Sequence, residues 1–496
     1  MAGSLGYNSG MRLYEPESVY QLDRAAVAID NFSEIELMQR AGRRVWRALQ
    51  ERWPGVERIT VFAGAGNNGG DAFVVALCAL REGVEVQMLI CGDLSRQSDT
   101  ARHFAELWQQ AGGRHEDWQG QQIGGEVIVD GLLGIGLRRR LDDDWQALIA
   151  AINACRAPRI AIDIPSGLNG LTGVPQPVAV MARLTVTFIG AKTGQWLADG
   201  PDYCGELVFD DLGMSESARH GIEARLETVE TCRLPSPRRN NSHKNDYGNL
   251  LIVGGDRGMT GAVALAARAA LRSGAGLVTA LVHPECRNNL AAFPEIMVQG
   301  WDALEARLPQ ASLVIVGPGL GGGEAAKHCL QQLQSAGLPM VVDASALRAG
   351  FLRALESDRK VITPHPGEAA ALLAKSSAEI QRDRLAASDA LVSSFDATCV
   401  LKGSGTLVAK AGETTAINNR GNPGMASAGM GDVLCGIIGA LIGQGLSPYD
   451  AARSAVFIHA LCAEAYCEAN DQLGLIAGDV IELIPRVIRR LRDQAC

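Results

Sequence analysis

The feature that most constrains this chain is a recurring unit: a short apolar run, a loop of glycines with an aspartate, then a helical pattern. Arg58–Ala63 leads into Gly64-Ala65-Gly66-Asn67-Asn68-Gly69-Gly70-Asp71, a helix is expected from about Ala72 to Arg81, and a second run, Val84–Ile90, closes a βαβ unit. Further runs fall at Val127–Asp130, Arg159–Asp163 and Leu184–Phe188. Strands separated by helices need crossover connections, which cover both faces of a mostly parallel sheet. The pattern restarts at Asn249–Val253, followed by an Ala-rich helix over about Gly261–Ser273. Strands are then expected at Gly276–Val282, Ser312–Val316, Met340–Val342, Lys360–Ile362 and Ala397–Leu401, with helices from near Asp432 and over Pro448–Cys467. Ahead of the first strand, 17–52 reads as one or two helices by its three- and four-residue apolar spacing. The stretch Met214–Asn249, with its prolines, arginines and asparagines, reads as the connection between two halves. The expected class is α/β with two three-layer αβα domains, 1–222 and 223–496.

Composition removes several classes of function. A net charge of −9 over 496 residues gives no footprint for nucleic acid or an anionic membrane. The longest apolar stretch, Val433–Gly443, is well short of the roughly 20 residues of a spanning helix. The first residues lack the apolar core of a signal peptide. The 12 cysteines form no CxxC pair, which favours reduced thiols and a cytoplasmic protein. The absence of GK[ST] and HExxH disfavours Walker-type NTPases and common zinc proteases.

In the first half, Asn67 to Asp71 crowd two carboxamides and a carboxylate at a helix start, where free N–H groups and the helix dipole favour anions. Asp130-Gly131-Leu132-Leu133-Gly134-Ile135-Gly136-Leu137 and Asp163-Ile164-Pro165-Ser166-Gly167 end two further strands, and ligands of open α/β sheets bind outside such ends. Asn68, Asp130 and Ser166 offer only oxygen ligands, a set for a hard, weakly held cation.

Together with the later AKTG and CGEL runs, these motifs resemble the NAD(P)H-hydrate epimerase family, Rossmann-like, over roughly residues 10–215. The resemblance implies substrate contacts at Asn67, Asn68, Gly69, Gly70, Asp71, Gly134, Ile135, Gly136, Leu137, Arg138, Arg139, Arg140 and Asp163. It also implies potassium held by Asn68, Asp130 and Ser166. Epimerisation at C6 of the hydrated ring needs a positioned acid/base carboxylate, and Asp163 is the expected one. Lys192 is expected to do no more than support.

In the second half, four loops stand out. Gly317-Pro318-Gly319, Thr363-Pro364-His365-Pro366-Gly367-Glu368 and Lys402-Gly403-Ser404-Gly405-Thr406 each follow a strand. The fourth runs Asn422, Pro423, Gly424, Met425, Ala426, Ser427, Ala428, Gly429, Met430, Gly431 to Asp432 and opens an apolar helix. Such a glycine-rich helix start can wrap N–H groups around a phosphate, and Asp432 beside it suits a base in phosphoryl transfer.

This half resembles the ADP-dependent NAD(P)H-hydrate dehydratases of the ribokinase-like superfamily over about 235–490, through SHKNDYGNLLIVGG, GPGLG, TPHPGE, LKGSGT and NPGMASAGMGDVL. It implies hydrate contacts at Ala262, Gly319, His365 and Asp432. ADP contacts are implied at Lys402 to Thr406 and Asn422 to Gly431. Asp432 would take the hydroxyl proton, ADP would donate its terminal phosphoryl group, and phosphate would leave as the ring double bond reforms. Mg2+ would bridge the phosphates, with no residue marking its ligand. Ser345 stands where the family more often has an acidic residue, leaving the Asp343–Leu347 loop without an expected role. The implied partners are NAD(P)H hydrates and ADP, in a homo-oligomer without nucleic acid or membrane. The rival reading is a ribokinase-like vitamin-precursor kinase carrying a non-catalytic N-terminal binding module. An epimerase beside a stereospecific dehydratase makes the better chemical pair.

Overall fold

The computed structural model describes residues 10–137 and 139–495; Arg138, one of the expected substrate contacts, lies outside them. The described chain divides into two compact units, Arg12–Leu226 and Glu227 onward, the latter including Gly10 and Met11.

The first unit is a seven-stranded, all-parallel sheet. Its spatial order is His115–Asp117, Glu85–Ile90, Arg58–Ala63, Val127–Gly131, Arg159–Ile162, Leu184–Phe188 and Glu206–Asp210. The order reverses between Arg58–Ala63 and Val127–Gly131, so a crevice opens outside their carboxyl ends. The loops leaving those two strands carry Asn67–Asp71 and Gly134–Leu137, and Asp163 leaves the next strand along.

The helix expected from Ala72 begins at Asn67, so Asn67–Asp71 forms its first turn and not a preceding loop. Glycine's low helix propensity conceals this in sequence. The glycines serve close approach: a Cβ on Gly69 would lie 1.9 Å from the Gly64 carbonyl oxygen, and one on Gly70 would lie 2.6 Å from the Met38 sulfur. The 17–52 region forms two helices, Pro16–Ile29 and Glu34–Arg52, whose buried faces include Val19, Leu22 and Ala26, then Met38, Val45 and Leu49. A short strand, Arg12–Tyr14, pairs in parallel with Ala191–Lys192 and so fixes Lys192.

The second unit's sheet runs Met297–Gly300, Leu277–Val282, Asn249–Val253, Leu313–Val316, Met340–Val342, Lys360–Ile362 and Thr398–Leu401, all parallel. Thr406–Ala409 and Thr415–Asn418 then add antiparallel. The order again reverses beside the first strand, between Asn249–Val253 and Leu313–Val316. The helix Met430–Gly443 lies against Thr260–Arg272, and the small residues of both make that possible: a Cβ on Gly436 would be 2.2 Å from the Ala266 carbonyl oxygen. The α/β expectation, Rossmann-like then ribokinase-like, therefore holds. No helix among the described residues is long and apolar enough to cross a membrane.

Candidate active sites

In the first unit a cavity of about 370 Å³ is lined by Asn67, Asn68, Asp71, Gly134, Ile135, Gly136, Asp163 and Lys192, together with Asp23 of the helix Pro16–Ile29. A second cavity, of about 610 Å³, shares Asn68, Gly134 and Gly136 with it and adds Leu137, Arg96, Arg139 and Trp145. Gly69 and Gly70 are buried beneath the helix start, and Arg140 is exposed.

Asp163 takes a backbone conformation rare for a side-chain-bearing residue, with φ +65°. Such a residue costs about 1–3 kcal/mol and persists only where its surroundings over-determine it. Here the Gln195 side-chain amide donates to the Asp163 carbonyl at 2.8 Å, and the Val186 carbonyl accepts the Asp163 N–H at 2.7 Å. The Lys192 ammonium donates to Asp163 Oδ1, and its other protons go to Thr187 Oγ1 at 3.0 Å and the Phe188 carbonyl at 3.1 Å. Lys192 is 1% exposed. It is therefore the counter-charge of Asp163 and no solvated side chain, which suits the supporting place that the sequence suggested. Two further carboxyls lack any such partner among the described residues. Burial pushes Asp23 up to about 6, with Lys192 pulling down and Asp163 pushing up. Burial, then Asp163 and Asp23, push Asp71 well above the ordinary range.

Asp130 is 0% exposed, and its carboxyl accepts from Ser166 N at 2.8 Å, Ser166 Oγ at 2.5 Å and Leu132 N at 3.3 Å. Burial pushes it up to about 6 against those hydrogen bonds. Asn68 donates through Nδ2 to the Leu133 carbonyl at 3.2 Å, leaving its own amide oxygen uncommitted among the described residues. The structure thus brings Asn68, Asp130 and Ser166 around the Leu132–Leu133 turn, an oxygen-only cluster whose buried carboxyl has no cationic side chain in ion-pair contact among the described residues.

In the second unit, Lys402 and Asp432 meet at the carboxyl edge of the sheet. The Lys402 ammonium donates to Asp343 Oδ1 at 2.9 Å and lies 3.8 Å from Glu368 Oε2. A Cβ on Gly431 would be 3.3 Å from that ammonium, which sets the glycine-rich helix start beside the pair. Asp343 is buried, and Thr363 Oγ1 donates to it at 2.7 Å. Burial would raise its pKa, but Lys402, Thr363 and Cys435 together hold it below the usual carboxylate range. Asp432 has no side-chain hydrogen bond among the described residues, and burial, then Asp343, push it up to about 6 while Lys402 pulls down.

His365 caps the helix Pro366–Leu373, its Nδ1 accepting from Gly367 N at 3.0 Å and Glu368 N at 3.3 Å. Its loop joins the Lys402 loop through Lys402 N to the Pro364 carbonyl at 2.9 Å. Ala262 and Gly319 both adjoin Met259: Ala262 N donates to its carbonyl at 3.3 Å, and a Cβ on Gly319 would lie 2.3 Å from that oxygen. The Lys402–Thr406 loop is held from beneath by buried Arg384, which donates to the carbonyls of Leu401, Lys402 and Gly405. Ser404 is exposed, and Thr406 Oγ1 donates to the Gly403 carbonyl at 2.8 Å. In the Asn422–Gly431 loop, Asn422 Nδ2 and Ser427 Oγ are buried without a partner among the described residues. Orphaned polar atoms of this kind fit a ligand-binding loop. No hydrogen bond among the described residues joins that loop to Lys402–Thr406.

Family models agree with this division. One described as YjeF-related protein N-terminus matches residues 34–194, and one described as NAD(P)H-hydrate dehydratase matches 250–486. The bifunctional NAD(P)H-hydrate repair enzyme of Coxiella burnetii is 40% identical over 476 residues, spanning 94% of this chain and 97% of that protein. The chain belongs to the bifunctional NAD(P)H-hydrate repair enzymes. The Escherichia coli member is also 40% identical, over 94% of this chain and 92% of its own length. A solved structure, ADP/ATP-dependent NAD(P)H-hydrate dehydratase from Bacillus subtilis co-crystallised with ATP/Mg2+, is 30% identical and covers 52% of this chain and 94% of its own, with a TM-score of 0.49. The first unit thus carries the epimerase domain and the second the dehydratase domain.

Several of the groups described above carry no signal in the sequence. Asp23 lies in an ordinary amphipathic helix, and Arg384 looks like any helical arginine. Asp343 alone had one available, its place directly after the strand Met340–Val342.

Proposed function

We propose that the epimerase site, within 1–222, interconverts R and S hydrates in the 370 Å³ cavity, and that the dehydratase site, within 223–496, restores the S form using ADP. The hydrated ring lies against Asp163, and the diphosphate crosses the shared rim at Asn68, Gly134 and Gly136, near the start of the helix Asn67–Arg81. The ADP half extends into the larger cavity towards Arg96 and Arg139. Asp163 exchanges a proton with the C6 oxygen. Lys192 supplies its counter-charge and the strained turn keeps it aimed.

Asp432 carries the reading of the second site. It is a carboxyl without a hydrogen-bond partner, beside a lysine-held carboxylate at a glycine-rich helix start. Asp432 takes the C6 hydroxyl proton, the oxygen attacks the terminal phosphoryl of ADP, and AMP leaves. The C6–O bond then breaks to release phosphate, the ring nitrogen sustains the positive charge, and loss of a C5 proton restores the double bond. Lys402 offers positive charge to the transferring group, and Asn422 Nδ2 and Ser427 Oγ, without partners among the described residues, offer it hydrogen bonds. Asp343 is committed to Lys402 and Asp432 to the proton, so Mg2+ would enter on the ADP phosphates, where it neutralises charge.

The test is one assay. With purified protein and mixed hydrates, ADP should restore the absorbance of reduced nicotinamide from both epimers, whereas without nucleotide the epimers should only interconvert. Restoration without any phosphoryl donor would exclude the phosphorylation route.

Potassium fits the Asn68–Asp130–Ser166 cluster, because it would neutralise a buried carboxyl that no cationic side chain among the described residues neutralises. One carboxylate lacks the charge to hold a divalent ion tightly. Held there, potassium would brace the turn that orients Asn68 against the substrate. Exchanging potassium for tetramethylammonium should slow epimerisation and lower the melting temperature of the epimerase unit. At potassium a hundredfold above Kd the stabilisation is about 2.7 kcal/mol. Equal rates and equal melting in the two cations would count against the site.

A further inference from the structure

The 370 Å³ cavity holds more carboxyls than the reading above uses. Asp163, Asp71 and Asp23 all line it, on three different elements, with Lys192 as the only lysine of its lining. That ammonium is spent on Asp163. Asp23 has no side-chain hydrogen bond or ion pair among the described residues, although its helix is packed into the unit through Val19, Leu22 and Ala26. Asp23 faces the cavity that the hydrated ring is read to occupy.

We propose that Asp23 is a catalytic general acid of the epimerase, working as a pair with Asp163. The proposal rests on the reading of this cavity as the epimerase site. Inversion at C6 through a planar ring needs two proton transfers, one to the departing oxygen and one from the arriving one. Asp23 gives its proton to the C6 oxygen, the C6–O bond breaks, and water leaves with that electron pair. The nitrogen lone pair fills the deficit as a C6=N1 double bond. Water then adds to the other face of C6 and its surplus proton passes to the Asp163 carboxylate. The pair ends with Asp163 protonated and Asp23 ionised, which is the state the reverse conversion needs. One cavity therefore serves both directions.

The electrostatics agree with these starting states. The charged groups facing Asp23 are Lys192, Asp163, Arg24, Glu34 and Asp71. Burial outweighs the pull of Lys192 and leaves Asp23 up at about 6, close enough to neutral pH both to hold and to release a proton. Burial, then Asp163 and Asp23, push Asp71 well above the ordinary carboxylate range. A lysine-paired carboxyl beside one raised by burial is the arrangement that separates a base from an acid.

The experiment uses the full chain without nucleotide, starts from purified R hydrate, and follows the S form by chromatography. Asp23→Asn should slow epimerisation on the order of 10²-fold or more. Asp23→Glu, which keeps a carboxyl, should retain a substantial part. The alkaline limb of the wild-type pH profile should be missing from the residual activity of Asp23→Asn. ADP-dependent restoration of pure S hydrate should stay at the wild-type rate in both variants, which shows that the protein is folded. If Asp23→Asn does not fold, Asp23→Ser takes its place in the same comparison. Wild-type epimerisation by Asp23→Asn, with Asp163→Asn inactive, would overturn the role of Asp23 and leave the cavity as the site. Wild-type rates in both would overturn the reading of the cavity itself.

Discussion

Asp432→Asn is expected to abolish dehydration while leaving ADP binding intact. The carboxamide matches the carboxylate in size but takes up no proton, and loss of a positioned general base costs on the order of 10²–10⁴-fold in rate. Stability should not suffer, because the substitution removes a negative charge held near buried Asp343. Single-turnover restoration of S hydrate, ADP titration calorimetry and thermal melting check the three parts together. The pH dependence follows from the direction of the shift. A base must be ionised to act, and burial and Asp343 hold Asp432 up at about 6. The wild-type kcat/KM should therefore rise through that pH and level off above it. Full turnover by Asp432→Asn would move the base elsewhere.

Asp163→Asn is expected to slow consumption of the R hydrate on the order of 10²–10⁴-fold and leave the S hydrate untouched. The two sites lie in different compact units, each with its own sheet and core, so substitutions in one should act almost independently of the other. Stability should respond here, in contrast with Asp432. Lys192 is 1% exposed and would lose its carboxylate partner, keeping only Thr187 and the Phe188 carbonyl. Removing one side of a buried pair costs about 3–5 kcal/mol. The double variant Asp163→Asn with Lys192→Met removes the stranded charge, so it should recover melting temperature without recovering epimerisation. Recovery of both would make Asp163 a structural residue. Loss of S-hydrate repair in a folded Asp163→Asn protein would refute the separation of the two sites.

Much of the fold was legible because parallel strands covered on both faces read as unbroken apolar runs. Arg58–Ala63, Leu184–Phe188, Asn249–Val253, Met340–Val342 and Lys360–Ile362 have the bounds that their composition suggests. Strands such as His115–Asp117, Met297–Gly300 and Thr406–Ala409 escaped notice because short outlying strands carry too few apolar residues to stand out from loops.

The site loops were legible for a different reason. Glycines and aspartates at strand ends are visible one stretch at a time, and Asn67–Asp71, Asp163 and Asp432 needed nothing else. What those loops meet was not visible. A charged residue in a sequence looks solvated until the chain around it is known, and burial reverses its meaning. Lys192 became the partner of Asp163 because Ala191–Lys192 pairs with Arg12–Tyr14, far away along the chain. Asp343 became the partner of Lys402 because their strands end at the same sheet edge. Arg384 braces the Lys402 loop only through packing. The sequence by itself determined the two parallel-sheet units and the glycine- and aspartate-bearing loops at their strand ends. Only the tertiary structure decided which charges face one another, and hence which carboxyls gain a lysine partner and which are raised by burial, because desolvation and pairing depend on neighbours in space.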